Sequence, residues 1–472
     1  MVISLLNSIV PYKTRLNRYK PAGGLLVALG CLMISNSQAA NTLTLPQGRH
    51  KLGVIYARTG EIREAFGADG ERVSLVAPYQ LELSSRNFSR AEPRVSELVN
   101  FLNNLGYRYD VDGRETDNGI RDGSTDDSLP LLGDALSRGS LGVDAWAERE
   151  QWVFMLQRGF TERLSAGLAL PVIHQSFRIR SQIGGVNTAN DIYQYFTGVG
   201  GGALQDFNDA LGLLAQINSS TFQNVLASKG YQPLEDSDES GIGDLIIGGR
   251  YRWKELDLAT GSRLAGRWLG ALEGRVTLPT GRLASPDELA GLDFGTGAVS
   301  FMVGHNSSYR VEGKDTPKLL RRLALFHNIS TQRNLPYQRT RRVRTSPGDF
   351  LPDESTKQPV TIALGSSWLQ NFGVDYTINP TLTFSAQFDW LIRNSDLLLT
   401  AEPDTSRADY LATGTAGNLR SLQLKLNASS IGSFLRGGMP LPGELSVTWN
   451  QPLAGRNQIL TPYVLGELAL YF

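Results

Sequence analysis

Side chains able to move a proton or attack a carbonyl are scarce in this chain. It has four histidines, His50, His174, His305 and His327, among 472 residues. His305 is followed by Asn306, Ser307 and Ser308, which reads as a polar turn after a strand and not as a nucleophile elbow. No G-x-S-x-G, HExxH or phosphate-cradling glycine loop stands in the context such motifs need. The acidic tract Asp110 to Ser128 holds D-x-D and D-G pieces without the full spacing of a calcium loop, so it reads as a solvated surface loop. No enzymatic activity, metal or cofactor is expected. What recurs instead is a charged or amide side chain at every second residue of apolar runs: Arg250 and Arg252, Glu273 and Arg275, Gln387, Asp389 and Arg393, Lys425, and Glu467. On a strand, period two sends these to one face. Facing a lumen, they either line an aqueous path or satisfy one another as a ladder across a narrow bore.

The elements that would carry them are two-faced strands. In the final stretch, Thr461 to Phe472, Val464, Leu468, Leu470 and Phe472 point one way, while Tyr463, Leu465, Glu467, Ala469 and Tyr471 point the other. The same alternation marks Arg49–Arg58, Gln151–Arg158, Leu164–Val172, Leu245–Trp253, Trp268–Leu278, Ala298–Val303, Leu382–Arg393, Ser421–Asn427 and Leu445–Trp449. Two less tidy segments lie at Arg321–Ser330 and Val360–Trp368. The sum predicts an all-β fold: a transmembrane antiparallel barrel of about twelve strands, within about ten to fourteen, with greasy outer and polar inner faces. Short connections near 159–163 and 376–380 would be periplasmic, and long ones near 59–142, 176–238, 280–293, 333–356 and 395–415 would be external.

Two of the long connections carry helical spacing. Pro93 to Leu105 places Val95, Leu98, Val99, Leu102 and Leu105 on one face before Gly106. In 203–228, Leu204, Phe207, Leu211 and Leu214, then Phe222, Val225 and Leu226, form apolar stripes that either pack on the rim or receive a nonpolar solute. Pro171, unable to donate to a ladder, marks a kink or opening in the wall.

The address is written at the start. Lys13, Arg15, Arg18 and Lys20 precede the apolar run Gly23–Ile34 and a small-residue exit at Ser37-Gln38-Ala39. That order is a secretory signal over 1–40, leaving a barrel over 41–472. Cys31 is the single cysteine and falls within the signal, so the mature barrel gains nothing from disulfides. Formal net charge is +0, and nothing in it suggests nucleic acid.

Two resemblances sharpen this. The ending on Phe472 resembles the C-terminal strand of Gram-negative outer-membrane barrels, which closes on the first strand. It implies the outer membrane, with its lipid and lipopolysaccharide, and the barrel-assembly machinery as partners. GIGDLIIGGRYRW at 241–253, VTLPTGR at 276–282 and FGTGAVSFMVGH at 294–305, with GFTERLSAGLALP at 159–171 and LPQG at 45–48, resemble the outer-membrane family associated with the meta-pathway of phenol degradation. That family is related in architecture to the long-chain fatty-acid transporters. The resemblance implies passive passage of small hydrophobic or aromatic compounds. A general or ion-selective porin, or a non-conducting surface-binding barrel, are the alternatives the residues leave open.

Overall fold

A computed structural model describes residues 42–76, 81–85, 93–112, 119–122, 124, 126–198, 211, 214, 219–258, 265–289, 291–312, 316–344, 351–400, 411–412 and 414–472. Twelve strands form its wall: β1 (His50–Thr59), β2 (Ser137–Gly159), β3 (Leu164–Gly184), β4 (Leu245–Leu258), β5 (Gly266–Leu278), β6 (Ser300–Val311), β7 (Leu323–Asn334), β8 (Ser367–Asn379), β9 (Leu382–Arg393), β10 (Gly417–Ser429), β11 (Gly443–Arg456) and β12 (Tyr463–Tyr471). Each pairs antiparallel with the next, and β12 returns to β1, with Val54 opposite Leu468. No helix among the described residues is long and apolar enough to cross a membrane. The strands cross instead, because a closed ring leaves no unpaired backbone edge in hydrocarbon.

Alternation sets the two faces. On β12, Val464 and Leu468 are exposed while Leu465, Glu467 and Ala469 are buried; on β9, Phe384 and Phe388 are exposed while Ser385, Gln387 and Asp389 are buried. Outward aromatics gather in pairs at both ends of the band. Trp253 and Trp268 lie 5.9 Å apart toward the short turns, and Trp368 and Trp390 lie 6.4 Å apart toward the long loops. A closed antiparallel barrel with this apolar outer band is an outer-membrane protein.

The eighth strand corrects the sequence reading. Val360 and Ile362 do alternate, but Lys357–Ala363 belongs to a separate three-stranded sheet with Tyr337–Arg342 and Leu397–Thr400, on the long-loop side. The wall strand is Ser367–Asn379, so the following turn is the tighter 380–381. Alternation reports that a strand has one buried face, not which sheet buries it.

The hairpin β2–β3 runs further than one bilayer needs, and its ladder continues without a register shift from Gly159–Ser165 to Ser140–Gly184. Its upper part carries an outer lobe. There Leu98 and Leu102 of the helix Pro93–Asn104, stopped by Gly106 at φ +73, share a buried core with Ile192 and Phe196 of the helix Thr188–Gly198. Leu211 and Leu214 belong to the same core.

Ion pairs bind the outer sheet to the β5–β6 loop. Asp287 accepts from Arg342 at 2.6 Å and from Lys357 at 2.8 Å, and Arg339 pairs with Asp293 at 3.0 Å. Burial pushes the Asp287 carboxyl up, but the hydrogen bonds and charges of Lys357 and Arg342 outweigh it and hold the group below its ordinary range. A depressed carboxyl contributes stability above its unfolded pKa and loses it as pH falls through the folded one. Limited proteolysis of the outer sheet is therefore expected to accelerate as pH drops below the ordinary aspartate range. In Asp287→Asn that acid-dependent component is expected to disappear; an unchanged pH profile would contradict this role.

Candidate functional site

The lumen wall has two chemically different sides. On β12, β1, β2 and β3 the inner face carries an apolar stripe, in which Leu465, Ile55, Ala57, Val153, Met155 and Ala169 form one buried cluster, flanked on the same face by buried Lys51, Glu467, Arg149 and Gln151. On β4 to β6 and β8 to β11 the inner face is polar. Ser385, Gln423, Thr448 and Asn450 on this side are all buried within the ring.

Polar residues inside meet one another rather than open water. Glu273 accepts from Arg250 at 3.0 Å, from Arg275 at 2.9 Å and from Asn306 at 3.1 Å. Glu467 lies 3.2 Å from Lys51 and 3.5 Å from Lys425, with both Glu467 and Lys51 under a tenth exposed. Asp389, 2% exposed, has no cation beside it among the described residues. Its carboxylate accepts from Asn371 and Gln387 on one oxygen and from Gln423 at 2.6 Å on the other, with Ser421 at 3.5 Å. Gln387 Oε1, Ser446 Oγ, Thr448 Oγ1 and Asn450 Oδ1 are buried without a partner among the described residues. Buried polar atoms need one, so this patch is suited to meet water or the polar end of a solute.

The proline at 171 does not break its own hairpin. Pro171 faces Val153 in an unshifted ladder. The interruption is in the neighbour: β4 pairs with β3 only up to Ile246–Ala169, and the short strand Ser237–Ile242 resumes at Val172, leaving Gly243 and Asp244 between. Gly243 N donates to Pro171 O at 2.9 Å. The N and O of one strand residue point the same way, so the donor Pro171 lacks also faces this gap. Asp244 holds the gap in shape, accepting from Gly281 N at 3.0 Å and from Thr296 N at 2.7 Å. A Cβ on Gly295 would collide with the Asp244 carboxylate at 2.2 Å. The three glycine-rich pieces at 241–244, 278–282 and 294–297 thus converge at one point in the wall.

At the other mouth, the segment before β1 crosses the short-turn end. Gly48 N donates to Gly159 O at 2.9 Å, and Thr42 Oγ1 lies 2.9 Å from Ser308 Oγ on β6, on the far side of the ring.

Arg250, Glu273, Arg275, Gln387, Asp389, Lys425 and Glu467 are thus gathered on the inner wall as the alternation implied. Arg252 shares their parity, opposite buried Ala271, and reaches the Glu162 carbonyl at 3.0 Å in the β2–β3 turn. Arg393 pairs with Asp396 at 2.8 Å at the long-loop end of β9, where Asp396 also accepts from Gly365 N at 2.7 Å. Leu211 and Leu214, 0% and 1% exposed, are packing residues of the outer lobe. Leu204 and Phe207 lie outside the described residues, as does the side chain of Phe222. Phe472 closes the ring: its backbone N and O both bond His50, and its ring stacks on that imidazole at 5.6 Å. Lys51 and Asn371 were not anticipated. Lys51 sits at the right parity on β1, but its partner is 416 residues away; Asn371 lies on the misplaced eighth strand. Among the described residues no three His, Cys, Asp or Glu side chains converge as metal ligands would.

No family model and no curated protein matches the chain. Among solved structures, an outer membrane channel from Pseudomonas putida F1 aligns over 93% of this chain and 100% of its own, at 10% identity and a TM-score of 0.46. The Pseudomonas putida toluene transporter TodX aligns over 92% of each chain at 10% identity with a TM-score of 0.30. The Ralstonia pickettii toluene transporter TbuX aligns over 92% of each at 9% identity with a TM-score of 0.28. At identities this low, what the chain does has to be read from its own residues.

The Lys51–Glu467–Lys425 group offers a direct check. Glu467→Gln leaves two lysines in the wall without their counter-charge, and breaking a buried pair this way costs about 3–5 kcal/mol. The urea midpoint of the refolded barrel is expected to fall accordingly, and Lys51→Met with Glu467→Met to recover part of the loss. A midpoint unmoved by Glu467→Gln would show the group to be solvated.

Proposed function

We propose that this barrel is a passive outer-membrane channel for small hydrophobic or aromatic compounds. The observation that carries the reading is the apolar lane on the inner face of β12, β1, β2 and β3, from Leu465 through Ile55 and Val153 to Ala169. A general porin needs charge exposed to water along its bore. Here the inner charges are spent on one another, at Arg250–Glu273–Arg275 and Lys51–Glu467–Lys425, which leaves the apolar stripe as the part of the interior best suited to a nonpolar solute.

Nonpolar solutes are held back by the sugar layer outside, not by hydrocarbon, so a sheltered path past that layer is sufficient and needs no energy source. In this reading the outer lobe gathers the solute, the lane conducts it, and the gap at Gly243–Asp244 beside Pro171 lets it leave through the wall. The polar patch around Asp389 holds the hydroxyl or carbonyl end of solutes that have one. The meta-pathway resemblance in 241–305 implies the same class of solute. Which solute it is depends on the two large outer connections, where this chain departs from that family.

The test is uptake of a labelled small aromatic by cells carrying the protein or the double variant Val153→Asp with Leu465→Asp. Two carboxylates in the lane are expected to lower uptake by about ten-fold or more, because a charge in an apolar passage is costly. Heat-modifiable migration on a gel shows whether the variant barrel is folded. Undiminished aromatic uptake by the folded variant would contradict the proposal, and rapid sugar flux through the native protein would favour the hydrophilic porin.

A further inference from the structure

Gln151 of β2 is a carboxamide buried at the edge of the apolar lane. It is 1% exposed and shares the inner face with Val153 and Met155 of the same strand. Across the ladders it faces Ala57 of β1 and Ile173 of β3, both buried. Neither its Nε2 nor its Oε1 has a hydrogen-bond partner among the described residues. The other buried amides of the lumen with an open position, Asn328, Gln387 and Asn450, lack a partner only at the oxygen.

The polar groups nearest to it along the ladders are engaged elsewhere. Thr59 Oγ1 accepts from Arg149 N at 2.9 Å and donates to Arg149 O at 3.4 Å. Gln175 Nε2 donates to the Leu292 carbonyl at 3.0 Å. The Arg149 guanidinium, next on the same face, carries donors only and so cannot accept the Gln151 amide hydrogens. Ile173, opposite Gln151, reaches the gap in the wall: a Cβ on Gly243 would meet Ile173 Cδ1 and Pro171 Cγ, each at 2.9 Å. Val153, next to Gln151 on its face, is opposite Pro171. Gln151 therefore stands one strand inside the gap, apart from the Asp389 patch on β9.

We infer that Gln151 is a specificity-determining residue that hydrogen-bonds the neutral polar end of a solute, a hydroxyl above all, as the hydrocarbon body lies on Ala57, Val153 and Ile173. This role rests on the channel reading above and says which members of that solute class are favoured beside the gap. A hydroxyl can accept from Nε2 or donate to Oε1, a carbonyl answers Nε2 alone, and a bare hydrocarbon answers neither. A lone water needs several polar partners, and the side chains of Ala57, Val153 and Ile173 supply none. A site with buried polar groups discriminates against the analogue that leaves them unpaired.

The experiment compares uptake of benzyl alcohol and ethylbenzene, which differ by a hydroxyl in place of a methyl. Cells carry the native protein, Gln151→Leu, the more flexible Gln151→Met, or no protein, and the rate without the protein is subtracted. The native barrel is expected to take up benzyl alcohol faster than ethylbenzene. Either substitution is expected to lower that ratio by about five-fold, the order of one net hydrogen bond, with ethylbenzene uptake held or raised. A merely structural role would lower both rates alike and overturn the inference. Heat-modifiable migration shows which variant barrels are folded, and a native ratio no greater than one would overturn the inference without any variant. An unchanged ratio in a folded variant, with both probes still entering, would mean that water alone answers the amide; the inference would fall and the channel reading would stand. Entry of neither probe above background would overturn the channel reading itself, and this role with it.

Discussion

Everything in this molecule depends on a backbone that cannot hydrogen-bond to its surroundings. Inside hydrocarbon each N–H and C=O must find a partner in the chain, and a sheet can meet that demand only by closing. The closure is made by β1 and β12, whose register runs from Lys51–Tyr471 to Thr59–Tyr463 across almost the whole sequence. His50 and Phe472 add a last pair of backbone bonds and a ring stack at the base of the seam. Placing Lys51 and Glu467 on opposite sides of that seam, inside the ring, means this ion pair forms only when the barrel closes.

Closure at twelve strands also fixes the scale of the interior. A ring of this size is wider than the small barrels that side chains fill completely and narrower than the porins that keep an aqueous channel. Its interior is correspondingly divided. Arginine and glutamate bridge the wall at β4–β5, lysine and glutamate bridge the β1–β12 seam, amides surround Asp389, and small or aliphatic residues form a stripe beside that seam. The glycine-lined gap at 243–244 interrupts the ladder beside that apolar side, so lane and gap are neighbours and not separate features.

Much of this was legible in the chain because period two is a local signal. The parity that sets Val464 and Leu468 against Glu467 holds whatever the strand pairs with, so the two faces, the inner charges and the strand number followed from it. What was not legible depended on which distant segments meet. Lys51 looked like one residue of a first strand until closure brought it to Glu467. Val360 and Ile362 had the right parity for the wrong sheet, and with the eighth strand displaced, Asn371 was lost from the Asp389 group. Pro171 pointed to the right region of the wall, but the break itself belongs to Gly243 and Asp244, whose role appears only when Gly281 and Thr296 arrive from other connections. Leu211 and Leu214 had helical spacing that suits packing and reception equally, and the lobe core in which they are buried is what distinguishes the two.

Passage of a nonpolar solute needs a lumen that is constricted and suitably lined. Single-channel recording of the refolded barrel in a planar bilayer tests that most directly. The expected result is a barrel that is closed or only rarely conducts, because inner charges held in ladders leave no continuous wet path. A steady current rising in proportion to salt would mean an open water-filled bore and would contradict it.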